Sequence, residues 1–152
     1  MPNRHQIAQS LLALAETNEP KEVRARKIAN AICGYANHRA VCIYAVVGDE
    51  LVLLGWSGED APITRRMSIL KGLNGAAVTS RETIVVNDVE ADARYLPTFR
   101  TTQSEVIVPV TNPLSDDIVA TIDIENGSKN AFSDDDVLLL EMCAWAIAPL
   151  WR

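Results

Sequence analysis

The spacing of apolar residues changes near residue 40 and again near residue 133, and this double switch restricts the folds open to the chain. From Arg4 to Glu16, Ile7, Leu11 and Leu14 recur at helical spacing until Asn18-Glu19-Pro20 interrupts the pattern. From about Pro20 to Tyr35 the period resumes through Val23, Ile28 and Ile32, with proline suited to the first turn and Gly34 near the end. Ala40–Val47 and Leu51–Leu54 are then rich in β-formers and separated by Gly48-Asp49-Glu50, which predicts a hairpin. Thr83–Val86, Val106–Val110 and Ile118–Ile124 read as further strands, with a short helix over Leu73–Ser80. Ser133 followed by Asp134, Asp135 and Asp136 places a hydroxyl cap and carboxylates at the positive end of a helix from Val137 to about Ala148. Helices, a meandering sheet and a closing helix predict a layered α+β domain. Parallel βαβ alternation and a phosphate-cradling glycine loop are both absent, which argues against a Rossmann-type nucleotide fold.

Length and composition bound the rest. The 152 residues, 48% apolar and 22% charged, suit a single domain, 1–152, that folds by its own core. Fourteen basic against 20 acidic residues leave a formal charge of −6, which repels nucleic acid, and Arg24, Arg26, Lys27, Arg65 and Arg66 read as solvated faces. Cys33, Cys42 and Cys143 each sit in apolar surroundings and read as reduced core thiols. The widely spaced cysteines, and His5 far from His38, form no metal-type motif, so neither a metal site nor a cofactor is expected. The apolar stretches Leu11–Ala15 and Met142–Trp151 are too short for a secretory core and a membrane span, so a cytoplasmic protein with no membrane partner is expected.

Between residues 72 and 110 the chain carries Gly72-Leu73-Asn74-Gly75-Ala76-Ala77, Asn87-Asp88-Val89, Asp92-Ala93-Arg94-Tyr95-Leu96 and Ser104-Glu105-Val106-Ile107-Val108-Pro109-Val110. Ala120-Thr121-Ile122-Asp123-Ile124-Glu125 and Phe132-Ser133-Asp134 follow. In this order the segments resemble a GAF domain over nearly the whole chain. The resemblance implies a six-stranded antiparallel sheet with the terminal helices on one side and a ligand pocket on the other. It places a helical start at about 4–36, a sheet and pocket region at about 40–126 and a closing helix at about 133–150. It also implies dimerisation through the terminal helices, which agrees with apolar residues spread over more than one face of the last helix.

Among short GAF proteins the chain is most similar to the free methionine-(R)-sulfoxide reductases, which use a cysteine thiolate. Aligned without gaps from Ile63 to Val110, the positions where that family has cysteines hold Thr64, Asn74 and Thr98, none of which can replace a polarizable nucleophile. The acidic set that holds the amino group of the bound amino acid in those enzymes corresponds to Glu105, Asp123 and Glu125. In strand geometry Asp123 and Glu125 share a face with Thr121, opposite Ile122 and Ile124. Buried together, such carboxylates resist full ionisation unless a cationic group or metal ion joins them, and a small amine would supply the charge.

Trp56, Met67, Tyr95, Leu96, Phe99 and Thr102, with Thr64 and Asn74, are candidates for the walls of the pocket, against the alternative that most are ordinary core. Arg94–Pro97 reads as a structural turn. The leading reading is a non-catalytic sensory domain that binds a small, amine-bearing metabolite and signals through a helix-mediated homodimer or a separate protein. The alternatives are a diverged sulfoxide reductase with a relocated cysteine, a catalyst built on the carboxylates, and a scaffold domain that binds nothing.

Overall fold

The computed structural model describes residues 2–35 and 38–152. Two helices, α1 (Arg4–Ala15) and α2 (Lys21–Tyr35), precede strands β1 (Ala40–Val47), β2 (Glu50–Gly58) and β3 (Arg66–Ser68). Helix α3 (Gly72–Ser80) leads to β4 (Ile84–Val86), β5 (Ser104–Thr111) and β6 (Ile118–Asn126), and α4 (Asp134–Ile147) closes the domain. The sheet runs in the order β3-β2-β1-β6-β5-β4 with every neighbouring pair antiparallel. The expected α+β architecture is the observed one.

Alternation along the strands sorts side chains onto two faces. Val41, Ile43, Val106, Val108, Ile122 and Ile124 form one large core with Leu11 of α1, Ile28 and Ile32 of α2, and Leu140 and Ile147 of α4. Each large aliphatic side chain fully buried there contributes roughly 1.5–3 kcal/mol. The opposite face is covered by α3 and by the loops on either side of it, and carries two smaller clusters. Helix α2 lies close on β2 because Gly55 has no side chain. A Cβ there would sit 2.7 Å from the Arg26 backbone nitrogen and 2.8 Å from the Ala25 carbonyl carbon.

Several boundaries differ from the sequence reading. Helix α4 begins at Asp134 rather than Val137, since Ser133 Oγ accepts from the Asp136 N–H at 3.2 Å while Asp136 Oδ2 accepts from the Ser133 N–H at 2.8 Å. The Asp residues therefore belong to its first turn. Pro20 precedes α2 rather than opening it. The last position of the expected helical start, about 4–36, lies outside the described residues. Strand β2 continues through Trp56 to Gly58, past a bulge that skips Leu54, so Trp56 is in the strand and not beyond it. The three-residue β3 is an added edge strand. On α4, Leu138 and Trp145 are 54% and 76% exposed, so the sheet leaves part of the helix uncovered. No helix among the described residues is long and apolar enough to cross a membrane.

Candidate ligand-binding site

The register of β5 and β6 assembles the site. Glu105 lies directly opposite Glu125, and Ile107 opposite Asp123, so all four side chains share the face that α3 covers. Glu105 is 1% exposed, and Asp123 and Glu125 are 0% exposed. One oxygen of each of the three carboxyl groups lies within 4.8 Å of one oxygen of the other two.

Helix α3 reaches this face because Gly75 allows its backbone to press against the preceding loop, where a Cβ would sit 2.6 Å from the Ile69 carbonyl oxygen. Leu73 and Ala77 pack on Ile107, and Asn74 between them turns toward the carboxylates. Asn74 Nδ2 donates to Asp123 Oδ2 at 3.1 Å, and Thr121 Oγ1 donates to Asn74 Oδ1 at 2.7 Å. Thr102 Oγ1 donates to Glu125 Oε1 at 2.7 Å. Three further oxygens, Glu105 Oε2, Asp123 Oδ1 and Glu125 Oε2, are buried and receive no hydrogen bond from any group outside the cluster. No lysine or arginine among the described residues forms an ion pair with any of the three.

Burial pushes the Glu105 and Glu125 carboxyls well above their ordinary range. The negative charge of Asp123 adds to this for both, and that of Glu125 also acts on Glu105. Burial raises Asp123 as well, against the opposing hydrogen bonds from Glu105, Asn74 and Glu125. Protons shared within the cluster relieve the repulsion when nothing cationic is bound.

Of the other candidates, Asn74 and Thr102 touch the carboxylates, as described. Tyr95 packs with Leu73, Val86 and Ile107, and its hydroxyl donates to the Phe99 carbonyl at 3.4 Å. Burial and the Glu125 and Glu105 charges raise its phenol. Met67 and Phe99 bury beside Cys42, Tyr44 and Leu51 on the same face.

Three residues are not brought to the cluster. Trp56 faces the same side but lies two strands from Asp123, opposite Cys42, a sheet spacing of about 10 Å. It borders a groove with Glu22 and Arg26 of α2. Thr64 ties two loops together: its carbonyl accepts from Tyr44 Oη at 2.7 Å and its hydroxyl donates to the Pro97 carbonyl at 2.7 Å. Leu96 is 37% exposed and packs against Gly72. A cavity of about 280 Å³ lined by Arg39, Ile63, Phe99, Arg100 and Thr101 stops short of the three carboxylates.

Sequence reasoning overlooked Cys42 and Tyr44. Cys42 pairs with Asp123 across β1 and β6, and Tyr44 with Thr121. The signal was present as the alternation of Ala40, Cys42 and Tyr44 against Val41 and Ile43. Burial, then the Asp123 and Glu125 charges, push the Cys42 thiol up. Burial raises Cys33 as well, and pushes Cys143 up to about 12.

Residues 21–148 match the sequence profile of the GAF domain. The chain belongs to the GAF domain family. No curated protein sequence matches it. Among solved structures, this GAF domain is similar to the free methionine-R-sulfoxide reductase of Neisseria meningitidis in complex with its substrate. That likeness has a TM-score of 0.85 at 21% identity and covers 97% of this chain and 87% of that one. It is also similar to the type II free methionine-R-sulfoxide reductase of Thermoplasma acidophilum, with a TM-score of 0.76 at 29% identity, over 86% of this chain and 94% of that one. The GAF domain of an Acinetobacter phosphoenolpyruvate-protein phosphotransferase matches with a TM-score of 0.83 at 14% identity, covering 99% and 93%. The fold is thus shared by proteins with different outputs.

Proposed function

We propose that this GAF domain is a sensory module that binds a small, amine-bearing metabolite without transforming it, the ammonium group meeting Glu105, Asp123 and Glu125. The observation that carries this reading is the set of buried carboxyl oxygens to which no group outside the cluster donates. Unsatisfied buried acceptors are costly, and a cationic donor would satisfy all of them at once. Asn74 and Thr102 hold the cluster by its remaining oxygens, so the free ones are aimed rather than loose. The signal would pass to a second copy or a separate protein through the terminal helices, where Leu138 and Trp145 stand exposed.

The likeness to the sulfoxide reductases favours a second reading, a diverged reductase. Attack on a sulfoxide needs an accessible thiolate, and burial holds Cys33, Cys42 and Cys143 in the thiol form, which speaks against it. Thermal denaturation against a panel of free amino acids and aliphatic amines tests the first reading. A ligand at a hundred times its Kd stabilises the fold by about 2.7 kcal/mol, an upward shift of several degrees for a chain of this length. No shift with any compound would leave a scaffold domain. Thiol-dependent turnover of free methionine-(R)-sulfoxide, lost on replacing one of the three cysteines, would establish the reductase instead.

A further inference from the structure

We propose that Glu105, Asp123 and Glu125 form a site for one hard divalent cation of the magnesium, manganese and calcium class, in competition with an amine. This rests on the reading that the cluster faces a cationic ligand, and it names a second class of ligand for the same oxygens. The geometry suits a single ion. Metal–oxygen distances of roughly 2.0–2.6 Å put two ligands of one ion no more than about 5 Å apart. One oxygen of each carboxyl group already lies within 4.8 Å of one oxygen of the others.

The surroundings orient the donors as well. Thr102 occupies Glu125 Oε1 and Asn74 occupies Asp123 Oδ2, which leaves Glu125 Oε2 and Asp123 Oδ1 free beside Glu105 Oε2. Asn74 is itself fixed by the Thr121 hydroxyl. Outer hydrogen bonds of this kind set the direction of ligating carboxylates. The donors stand on adjacent paired strands rather than on loops, so the separation between them is held by the ladder.

The donor set selects the metal. It consists of carboxylate oxygens alone, with no imidazole among the grouped ligands, which suits magnesium, manganese or calcium better than zinc or copper. Cys42, paired with Asp123 across β1 and β6, is not among the grouped ligands. A divalent ion also cancels more of the cluster's charge than an ammonium group does.

The test uses the full chain, dialysed against EDTA and then into chelator-free buffer. Titration with manganese chloride, followed by loss of the free-ion electron paramagnetic resonance signal, is expected to give one bound Mn2+ per chain, displaced by excess magnesium or calcium. Glu125→Gln and Asp123→Asn are expected to weaken binding at least tenfold, whereas Asp135→Asn, on the exposed start of α4, leaves it unchanged. Circular dichroism identifies a variant that has not folded, in which case the other variant and the wild-type stoichiometry decide.

No signal loss at equimolar protein, or equal binding by folded Glu125→Gln, would overturn the inference. Stabilisation by amines in EDTA without manganese binding would refute the metal site and leave the proposed function standing. Failure of both ligands would remove both.

Discussion

Asp123→Asn is the substitution that most directly probes the cluster, because it changes charge and hydrogen-bonding capacity while keeping shape. Asp123 is 0% exposed and belongs to a group of three carboxyls with one oxygen of each within 4.8 Å of the others. At an effective dielectric of about 20, two full charges at that separation repel by on the order of 3 kcal/mol. The protein sheds most of this by retaining protons: burial raises all three carboxyls, and the neighbouring negative charges raise Glu105 and Glu125 further. An asparagine still offers its carbonyl oxygen to Asn74 Nδ2, and its amide N–H donates toward the free oxygens of Glu105 and Glu125. Hydrogen bonds to charged groups contribute roughly 1.5–3 kcal/mol each. The expected result in EDTA at neutral pH is a protein about 1–3 kcal/mol more stable than wild type, with a melting temperature higher by about 3–9 °C. Urea denaturation and thermal scans read this directly. The same variant should lose stabilisation by amines and by manganese, which makes it a trade of ligand for stability. A folded Asp123→Asn protein destabilised by more than about 1 kcal/mol would refute the reasoning, since it would show that the carboxylate is favourably engaged without any ligand.

Other consequences are equally checkable. Asn74→Ala strands the buried Thr121 hydroxyl and the Asp123 Oδ2 acceptor, and should cost about 2–4 kcal/mol in urea denaturation as well as weakening ligand binding. Gly55→Ala pushes a methyl group into the α2 backbone 2.7 Å away and should lower the denaturation midpoint by the equivalent of about 1–3 kcal/mol, with the m-value unchanged. His38 packs on Phe132 with ring centroids 5.6 Å apart, and burial lowers its pKa below the ordinary 6.5. Its folded pKa is the depressed one, so the unfolded chain takes up the proton first. Its contribution is complete above 6.5 and falls as the pH drops from there toward the folded pKa, by at most about 1.4 kcal/mol per pH unit. Stability curves of wild type and His38→Gln should converge as the pH falls through that window.

Much of the architecture was legible in the residues because local patterns report local structure. Helical spacing through Ile7, Leu11 and Leu14 marks α1, and the Ser133–Asp136 pattern marks the start of α4, where the capping box moved the first turn three residues earlier than the apolar period alone indicates. The alternation of Ile122 and Ile124 against Asp123 and Glu125 determined which face of β6 enters the large core. The three-residue β3 escaped notice because so short a strand has no period to read, and it exists only by pairing with β2. Trp56, Thr64 and Leu96 were candidates for the pocket walls, and strand order and loop ties keep them from the three carboxylates.

Period and composition, then, were enough to establish an α+β domain and to put two carboxylates on one side of its last strand. Register was not in them. That Glu105 falls opposite Glu125, that Asn74 descends from α3 onto Asp123, and that Cys42 flanks the same carboxylate depend on pairings between segments about 20 to 80 residues apart. The sequence showed no metal-type spacing because Glu105 stands on β5 and Asp123 and Glu125 on β6, and only the sheet brings the three together. Electrostatic free energy depends on distance and burial in space, which separation along the chain does not set.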